Sequence, residues 1–552
     1  MKIMIIIVTA FVFCTSSSSQ VTEEWVKHFN GVSNAQDFPT GIAVDNSGNV
    51  YITGISIGVG STVNPWDIVT IKYNSTGEEV WVRTFGLDNR REEANDIKVD
   101  NVGNVYITGY AVNDFEGSDF LTIKYDANGD TVWVRKYSGP VGNSTGTAIE
   151  VDTITGIVYV TGTSKGILSF DDIDYITIAY EPNGEQFWIA RYDGPGISVN
   201  ATRAMTFRPG EVLVTGRSKE RNASYPHILT IKYAAGSGDT LWTRRYNTPA
   251  NFLDDPKSIT VDQSGNVYVT GIGSSGSQPT DRDYLTIKYS PDGEELWAAV
   301  YNNVTTDEAY SVAIDNSGNV YVTGMSAGFG ADFATVKYNS SGVEQWVKRY
   351  HGGPPFSNNS DAASAITIDE MSNVYVTGAS VLGGVSSNPA DMLTIKYSSD
   401  GDSLWAARYN SPGNGGAGGG FISLDNFGNI YVTGTSIGIG TASDITTIKY
   451  SQQVTSTENN TTNIPDDYIL YQNYPNPFNP VTNIKFSIPK ESYVTLKIYN
   501  LLGETIASFI NQVLPAGLNE FQFDASTFVS SMYIYKLEAD DFISVKKMVY
   551  LK

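Results

Sequence analysis

The sequence is poor in the side chains on which most catalytic and metal sites depend. Its 552 residues include one cysteine, Cys14, and three histidines, His28, His227 and His351. Cys14 lies in a segment that is predicted to be removed, so we expect the mature protein to hold no disulfide and no thiol nucleophile. The histidines form no His-x-x-x-His motif, which disfavours a zinc peptidase of that type. We therefore assign no catalytic residue and no metal ligand.

Positive charge is also scarce, because 36 Lys and Arg residues face 59 Asp and Glu residues, for a net charge of -23. A field of that sign repels nucleic acid and acidic lipid, and it favours solubility and divalent cations. We expect no nucleic-acid partner. The sequence assigns no cofactor; calcium has only weak support from Asp126-Ala-Asn-Gly-Asp130, because its Gly comes too early for a calcium loop.

Long apolar runs are rare, and the one near the amino terminus is short. It extends from Ile3 to Cys14, follows Lys2, and precedes the small residues Ser16 to Ser19. This order is typical of a secretory signal peptide, which we assign to residues 1–19. About twelve apolar residues are too few to cross a bilayer, so the protein is not expected to be transmembrane. A lipoprotein anchored through Cys14 is the alternative, which bulky Val12 and Phe13 disfavour.

A short phrase, an aliphatic strand ending in Thr-Gly, occurs eight times at a spacing of about 54 residues, which is typical of propellers and solenoids. Each copy is followed by a strand ending in Tyr, and all copies but the last are then followed by a strand that contains Trp. The copies end at Gly54, Gly109, Gly162, Gly216, Gly271, Gly324, Gly378 and Gly434. Four strand-like runs per repeat predict a four-stranded propeller blade rather than an immunoglobulin-like domain of ~100 residues.

The connections between the predicted strands divide into two classes. The first turn, such as Asp45 to Asn49, and the step from Tyr73 to Trp81 keep nearly constant lengths along the repeats. The other two connections vary in length, and alternating strand direction places both of them on the opposite face. Since variable loops on a rigid scaffold often carry function, a glycan or protein ligand is expected on that face.

The ends of the repeat region predict how the ring closes. The strand from Trp25 to Phe29 precedes the first complete repeat, whereas the last repeat stops at Tyr450 without a Trp strand. We predict that Trp25 to Phe29 completes the last blade and removes an exposed edge, giving an eight-bladed propeller over residues 20–450. The repeated Trp residues are predicted to pack between blades, with carbohydrate stacking as the alternative.

The phrase Asp-x-Ser-Gly-Asn-Val-Tyr-Val-Thr-Gly, at Asp262 to Gly271 and Asp315 to Gly324, resembles the bacterial β-propeller repeat (SBBP) family. That family is usually labelled seven-bladed, whereas eight copies are present here. The fourth copy departs most, because Leu213 replaces Tyr and His227 replaces a recurrent Asp. It is interpreted as a degenerate blade, with a specialised one as the alternative.

A second, smaller domain is predicted after a polar linker at residues 451–467. In residues 468–552, apolar residues alternate with period two, as at Ile484, Phe486 and Ile488, which predicts a small immunoglobulin-like β-sandwich of about seven strands.

The sequence motifs of this tail resemble those of the C-terminal sorting domain of the type IX secretion system. The resemblance rests on Tyr474, Pro475, Asn476, Pro477, Phe478, Asn479 and Pro480, on Gly503, and on the ending from Lys547. It implies that residues 468–552 engage the type IX machinery, and that the protein is secreted or reaches the outer cell surface after signal-peptide cleavage. Ser530-Ser531 stands where a Ser-Gly pair is usual.

Candidate ligand-binding residues are those on the variable face that depart from the repeat. They are Trp66, Arg90, Arg91, Arg217, Lys219, Arg221 and Phe356. The sequence favours a non-enzymatic binding or scaffold module. A secreted hydrolase or lyase acting on polysaccharide, and a structural surface-layer protein, are the alternatives.

Overall fold

The structure is a computed structural model, and all its described elements are β-strands. It describes residues 21–31, 34–57, 66–86, 90–113, 117–167, 172–194, 199–219, 223–276, 278, 280–303, 305–328, 330–354, 360–383, 389–452, 468–473, 476–490, 492–501, 503–514, 517–525, 528–540 and 542–551. The predicted signal peptide and most of the predicted linker lie outside these residues, as do Arg221, Phe356, Tyr474 and Pro475. The described residues belong to two compact units, which divide between residues 453 and 454. The larger unit precedes this division, and the smaller unit follows it.

The larger unit consists of four-stranded antiparallel sheets that follow one another along the chain, which we number 1 to 8 within the described residues. Sheets 1 to 4 contain β2 (Asp37–Val44), β3 (Val50–Ile57), β4 (Trp66–Tyr73), β5 (Glu79–Phe85); β6 (Glu92–Val99), β7 (Val105–Val112), β8 (Ser118–Tyr125), β9 (Thr131–Tyr137); β10 (Ser144–Val151), β11 (Val158–Lys165), β12 (Ile173–Tyr180), β13 (Gln186–Tyr192); β14 (Val199–Arg208), β15 (Glu211–Lys219), β16 (His227–Ala234) and β17 (Thr240–Tyr246). A single parallel residue pair, Ile173 with Val199, joins sheets 3 and 4 into one hydrogen-bonded sheet.

The remaining sheets of this unit repeat the same order, except that sheet 8 takes its outer strand from the chain start. They contain β18 (Asp255–Val261), β19 (Val267–Gly273), β20 (Asp283–Tyr289), β21 (Glu295–Tyr301); β22 (Asp307–Ile314), β23 (Val320–Ala327), β24 (Ala331–Tyr338), β25 (Glu344–Tyr350); β26 (Ala362–Ile368), β27 (Val374–Val381), β28 (Ala390–Tyr397), β29 (Ser403–Tyr409); β30 (Ala417–Leu424), β31 (Ile430–Ile437), β32 (Ser443–Gln452) and β1 (Val21–Phe29).

The edge strand β1 pairs with β32 in antiparallel register. Trp25 lies opposite Lys449, and Phe29 lies opposite Ile445. The strand that the sequence left over at the chain start is therefore the fourth strand of the last sheet. The first strands of consecutive sheets contact one another, and β30 of sheet 8 contacts β2 of sheet 1.

The Asp that opens each constant turn explains why the phrase repeats. Asp45 Oδ1 accepts hydrogen bonds from the backbone N–H of Ser47 and of Asn49, both at 2.9 Å. Its Oδ2 accepts one from the Tyr51 hydroxyl at 2.9 Å. Burying a tyrosine hydroxyl is costly unless it is paired, so the turn Asp and the strand Tyr occur together. The Asp–Tyr bond recurs at Asp100, Asp262, Asp315, Asp369 and Asp425.

The Gly of Thr-Gly is required by the first strand of its own sheet. A Cβ on Gly109 would lie 1.8 Å from the Glu93 carbonyl oxygen, and one on Gly54 would lie 2.3 Å from that of Phe38. The close approach occurs beside a β-bulge in the first strand. Any larger residue would push the two strands apart, which accounts for Gly at all eight copies.

Contacts between sheets depend on the repeated Trp. The Trp81 ring lies between Tyr51 of its own sheet and Tyr125 of the next, with ring centroids 6.2 and 6.3 Å away. Its indole Nε1 donates to the carbonyl of Ala127 at 3.2 Å, and Lys72 Nζ donates to the same oxygen at 3.0 Å. Each sheet is thereby held to the constant turn of the following sheet.

The same pair of bonds recurs along the larger unit. Both a Lys and a Trp reach the carbonyls of Pro182, Pro291, Ser340, Ser399 and Ser75, whereas Trp188 alone reaches that of Ala235. The bonds to Ser75 come from Lys449 and Trp25, so they connect sheet 8 to sheet 1.

Gln452 takes the place of the missing turn in sheet 8. The chain does not connect β32 directly to β1, so this sheet offers no turn carbonyl to sheet 7. Gln452 Oε1 instead accepts hydrogen bonds from Lys396 Nζ at 2.7 Å and Trp405 Nε1 at 3.3 Å. Its amide nitrogen donates to the Tyr375 hydroxyl at 2.9 Å. β32 therefore extends two residues past Tyr450, the predicted end of the repeats.

The smaller unit has seven strands among its described residues, in two sheets of order β33-β34-β37 and β36-β35-β38-β39. The strands are β33 (Ile469–Leu470), β34 (Val481–Ile488), β35 (Ser492–Tyr499), β36 (Thr505–Leu514), β37 (Gly517–Asp524), β38 (Ser531–Ala539) and β39 (Phe542–Tyr550). Phe486 of one sheet and Leu496 and Tyr535 of the other are fully buried in one shared core. The alternating pattern of the sequence thus corresponds to two sheets that enclose one core.

The role of Gln452 predicts a large effect from a partly exposed side chain. Gln452→Ala should lower the free energy of unfolding by about 1–3 kcal/mol, because it removes the amide oxygen to which Lys396 and Trp405 donate. Urea unfolding of the full chain measures this. Ser451→Ala is the matched control, since that hydroxyl bonds only the exposed Glu24 side chain. Equal stability of the two variants would contradict the assignment.

Candidate functional site

The variable connections lie at the end of the sheets opposite to the constant turns. Each connection from third to fourth strand has five residues, as at 74–78 and 339–343, whereas those from second to third strand range from residues 328–330 to residues 274–282. The predicted binding residues that the structure describes all lie at or beside this variable end.

Trp66 and Arg91 are brought together by neighbouring sheets. Trp66 is the first residue of β4, and Arg91 directly precedes β6. The Arg91 guanidinium carbon lies 3.8 Å from the centroid of the Trp66 ring, within the range of a cation–π contact. Arg91 also forms an ion pair with Glu93, and Arg90 is the adjacent residue. One ring face of Trp66 is therefore covered by a guanidinium.

Arg217 and Lys219 form a separate group on sheet 4. They lie on β15, opposite Ala201 and Val199 of β14. The Arg217 carbonyl accepts a hydrogen bond from the Tyr175 hydroxyl of sheet 3 at 3.4 Å. The candidate residues therefore fall into two groups on different sheets, one at sheets 1 and 2 and the other at sheet 4, and they do not form one site.

The bulge of each first strand is a position that the sequence analysis missed. One residue per sheet is skipped in the pairing with the second strand. The skipped residues are Thr40, Asn95, Thr147, Arg203, Lys257, Tyr310, Ser364 and Gly420. Six of them stand fourteen residues before the Gly of Thr-Gly, so an alignment of the repeats would have found them.

The three histidines all take part in contacts between strands or sheets. His28 Nδ1 lies 3.0 Å from Thr446 Oγ1, and burial lowers the pKa of His28. His227 Nδ1 lies 3.3 Å from Asp254 Oδ2 across sheets 4 and 5. The substitution of His227 for the recurrent Asp therefore places an imidazole, rather than a second carboxylate, beside Asp254.

His351 belongs to a group of possible metal ligands with Asp332 and Asp361. Its Nδ1 lies 2.6 Å from Asp332 Oδ1 and 4.0 Å from Asp361 Oδ2. Asp332 also pairs with Arg349 at 2.6 Å, and Asp361 accepts the backbone N–H of Gly352 at 2.8 Å. Donors of the protein therefore already bond to both carboxylates, and these bonds account for the close grouping of the three side chains without a metal ion.

Five strings of the form Gly-x-Ser-x-Gly occur, beginning at Gly54, Gly142, Gly162, Gly324 and Gly434. Their serines are buried in strands, Ser144 in a first strand and the others in second strands, rather than exposed on a turn before a helix. Ser164 Oγ accepts from Ser144 Oγ at 3.0 Å, and Ser326 Oγ accepts from Arg349 at 2.7 Å. These serines therefore bond within or between sheets, as parts of the repeat.

Asp283 and Asp307 form a buried acidic contact between sheets 5 and 6. The Arg282 carbonyl accepts the Asp307 backbone N–H at 2.6 Å, which places the two aspartates side by side. Both are fully buried, and each has one Oδ1 without a hydrogen-bond partner in the described residues. Burial, with a contribution from the charge of Asp283, raises the pKa of Asp307. At the neighbouring contact of sheets 4 and 5, His227 rather than a second carboxylate lies beside Asp254.

Residues of the predicted sorting motif form internal contacts of the smaller unit. The Phe478 backbone N–H donates to the Val549 carbonyl at 2.9 Å, and the Phe478 ring lies 5.2 Å from that of Tyr550. Asn476 Oδ1 accepts the Val549 N–H at 2.7 Å. Pro477 and Pro480 follow cis peptide bonds after Asn476 and Asn479, Gly503 has a φ of 82° in a turn, and the Lys547 carbonyl accepts from Gln472. The predicted sorting motif thus fastens the last strand.

Segments of both units match known families. Residues 24–59, 241–275 and 302–330 match the Beta-propeller repeat family. Residues 472–551 match the family described as Secretion system C-terminal sorting domain. The chain therefore carries β-propeller repeats and a C-terminal sorting domain of a secretion system, as the sequence predicted. Such a sorting domain implies export to the cell surface or secretion.

One curated relative is an uncharacterised WD repeat-containing protein of Acanthamoeba polyphaga mimivirus, 24% identical over 389 residues. The match covers 56% of this chain, which spans about a quarter (26%) of that relative. Among the described residues, no helix is long and apolar enough to cross a membrane.

Solved structures with a similar course of the chain include three from different sources. Sqt1 from Chaetomium thermophilum is 9% identical, with a TM-score of 0.47, and the match covers 78% of this chain and 100% of that one. Quinohemoprotein alcohol dehydrogenase from Comamonas testosteroni is 11% identical, with a TM-score of 0.47 and coverages of 82% and 78%. PorZ, a surface component of the type IX secretion system of Porphyromonas gingivalis, is 13% identical, with a TM-score of 0.34 and coverages of 93% and 81%.

The buried acidic contact predicts a pH-dependent stability. The raised pKa of Asp307 means that its contribution to stability is present at acid pH and is lost as the pH rises through that pKa. Asp283→Asn removes the neighbouring charge, so it should raise the free energy of unfolding at pH 7. The gain should be smaller at pH 4, because more of Asp307 is protonated there and the repulsion is weaker.

Urea unfolding of the full chain at both pH values measures this difference. Asp292→Asn is the control, because it removes the same charge from an exposed turn. A gain of equal size at both pH values, or the same gain in the control, would show that the two aspartates do not repel each other.

Proposed function

We propose that this protein is exported through the type IX secretion system and acts at the cell surface, or after release, as a non-enzymatic binding module. In this proposal the larger unit is a closed eight-bladed β-propeller, and the smaller one is an immunoglobulin-like sorting domain. The observation that carries the proposal is the match of residues 472–551 to the sorting-domain family.

The eight-bladed ring is supported by contacts that return to their starting point. Each sheet donates Trp or Lys hydrogen bonds to the next, and those of Trp25 and Lys449 in sheet 8 end on Ser75 of sheet 1. The first strands β30 and β2 are also in contact. An open arrangement would lose both bonds and would expose the Trp25 ring, which packs on Tyr73 of sheet 1, to water.

The binding role is supported by a difference between the two ends of the sheets in the larger unit. At one end, turns of fixed length are held by bonds from Trp, Lys, Asp and Tyr side chains that repeat from sheet to sheet. At the other end, connection lengths differ, and Trp66, Arg91, Arg217 and Lys219 depart from the repeat. A surface that varies over a constant scaffold is suited to recognition.

The export half of the proposal is tested by changing one buried residue of the smaller unit. Phe478→Ala removes a ring that packs on Tyr550 and Phe523, so it should weaken the sorting domain and retain the protein in the periplasm of a bacterium with a type IX system. Cell fractionation and immunoblotting measure the retained fraction. The wild type should be found at the surface or in the medium, and Val529→Ala, on an exposed side chain, should behave like it.

The exported wild-type protein is then probed on an array of glycans and polymers, together with a turnover assay on the same panel. We expect binding of at least one ligand class without turnover. Turnover without an added partner would contradict the binding role, and periplasmic retention of the wild type would contradict export by this route.

A further inference from the structure

The bulged residues of the first strands are not equivalent around the larger unit. A bulge adds one residue that has no partner in the second strand, and it re-aims that side chain. Five sheets carry a small or uncharged polar residue, or glycine, at this position, but sheets 4, 5 and 6 carry Arg203, Lys257 and Tyr310. Their strands β14, β18 and β22 contact one another in that order. Two cations and an aromatic ring are therefore adjacent on the inner strands of the proposed ring.

Arg203 and Lys257 share one carboxylate. Arg203 Nε lies 3.0 Å from Asp255 Oδ1, and Lys257 Nζ lies 2.8 Å from Asp255 Oδ2. Burial opposes the ionisation of Asp255, but the two cations outweigh burial and hold its pKa below the ordinary value. Asp255 is thus ionised at neutral pH. Because two positive charges face one negative charge, the group keeps a net positive charge inside a strongly acidic protein.

The cations of this group have donor capacity beyond the shared carboxylate. Arg203 carries five N–H donors and Lys257 carries three, and Asp255 receives two from the first and one from the second. Their side chains are 32% and 28% exposed, so a ligand can reach them. Asp255 fixes both cations in position, which reduces the entropy lost when an anion binds.

Tyr310 stands at the equivalent bulge of the next sheet, on a strand that contacts the strand of Lys257. Its hydroxyl donates to Glu308 Oε2 at 2.8 Å, and Glu308 pairs with Arg282. The hydroxyl is therefore held in place while the ring stays partly exposed. An aromatic ring next to fixed cations suits a sugar ring that bears a carboxylate, because the sugar face packs on the aromatic ring and the carboxylate accepts charged hydrogen bonds.

Further cations of sheet 4 lie towards the variable end. Arg217 stands opposite Ala201, which is two residues from Arg203 along β14, and Lys219 stands opposite Val199. The two residues extend the positive character from the bulge towards the variable connections. A chain of several acidic sugars could contact both groups at once, which a single small carboxylate could not do.

We propose that Arg203, Lys257 and Tyr310 form a binding site for an acidic glycan, with Arg203 and Lys257 on the carboxylate of a uronic acid unit and Tyr310 against its ring. This inference rests on the proposed binding role and names its ligand class. The site lies at the inner strands of sheets 4 to 6, away from the Trp66 and Arg91 pair of sheets 1 and 2.

The test is calorimetric titration of the full chain with oligogalacturonate, with a neutral oligosaccharide of equal length, and with a sulfated one. Oligogalacturonate should bind, and binding should weaken in high salt, because the contacts are charged. Lys257→Gln should weaken binding by about tenfold, the effect of losing one charged hydrogen bond. Arg203 still pairs with Asp255 in that variant, so the fold should persist, and an unchanged melting temperature checks this.

Lys136→Gln is the matched control, since it removes the same charge from an exposed position on β9. It should bind oligogalacturonate like the wild type. The inference is overturned if Lys257→Gln also binds like the wild type, or if only the neutral or the sulfated sugar binds. Binding of other ligands on the array, unaffected by Lys257→Gln, would leave the proposed binding role standing and refute this site. Failure of the whole array would refute both.

Discussion

The larger unit depends on one contact, in which an indole N–H and a lysine ammonium donate to the same turn carbonyl of the next sheet. Trp81 and Lys72 do this at Ala127, and Trp133 and Lys124 do it at Pro182. The carbonyl must reach both donors, which fixes the five-residue length of its turn. The Asp that accepts the strand Tyr hydroxyl fixes the other constant turn. At the opposite end of the sheets, the connections differ in length.

The first and last strands of the larger unit, β1 and β32, take part in the same contact. Trp25 and Lys449 donate to Ser75. Gln452 supplies an amide oxygen for Lys396 and Trp405, because no turn connects β32 to β1. A side chain thereby completes a pattern that is otherwise made by backbone. The last strand of the larger unit therefore reaches two residues into the predicted linker of residues 451–467.

The sequence predicted the strands and the strand left over at the start, and it missed side-chain contacts and bulges within them. The position of Trp25 to Phe29 followed from a Trp strand left over at the start of a regular series. The role of Lys72 was not evident, because a Lys beside a buried Tyr resembles an ordinary exposed strand residue. Gln452 lay outside the repeated phrase. Arg203 and Lys257 were missed because a bulge interrupts the period-two alternation by which inward and outward residues are recognised.

The central claim is that the first strand of the described chain, β1, and the last strand of the larger unit, β32, pair within one sheet, and a disulfide tests it directly. Thr22 and Ser451 lie opposite each other in the pairing of β1 with β32. A variant with Thr22→Cys and Ser451→Cys, in a chain whose one native cysteine, Cys14, lies in the predicted signal peptide, should form this disulfide within one molecule. Mass spectrometry of a non-reduced digest should find the two peptides joined. Separate peptides under oxidising conditions, or joining only between molecules, would contradict the account.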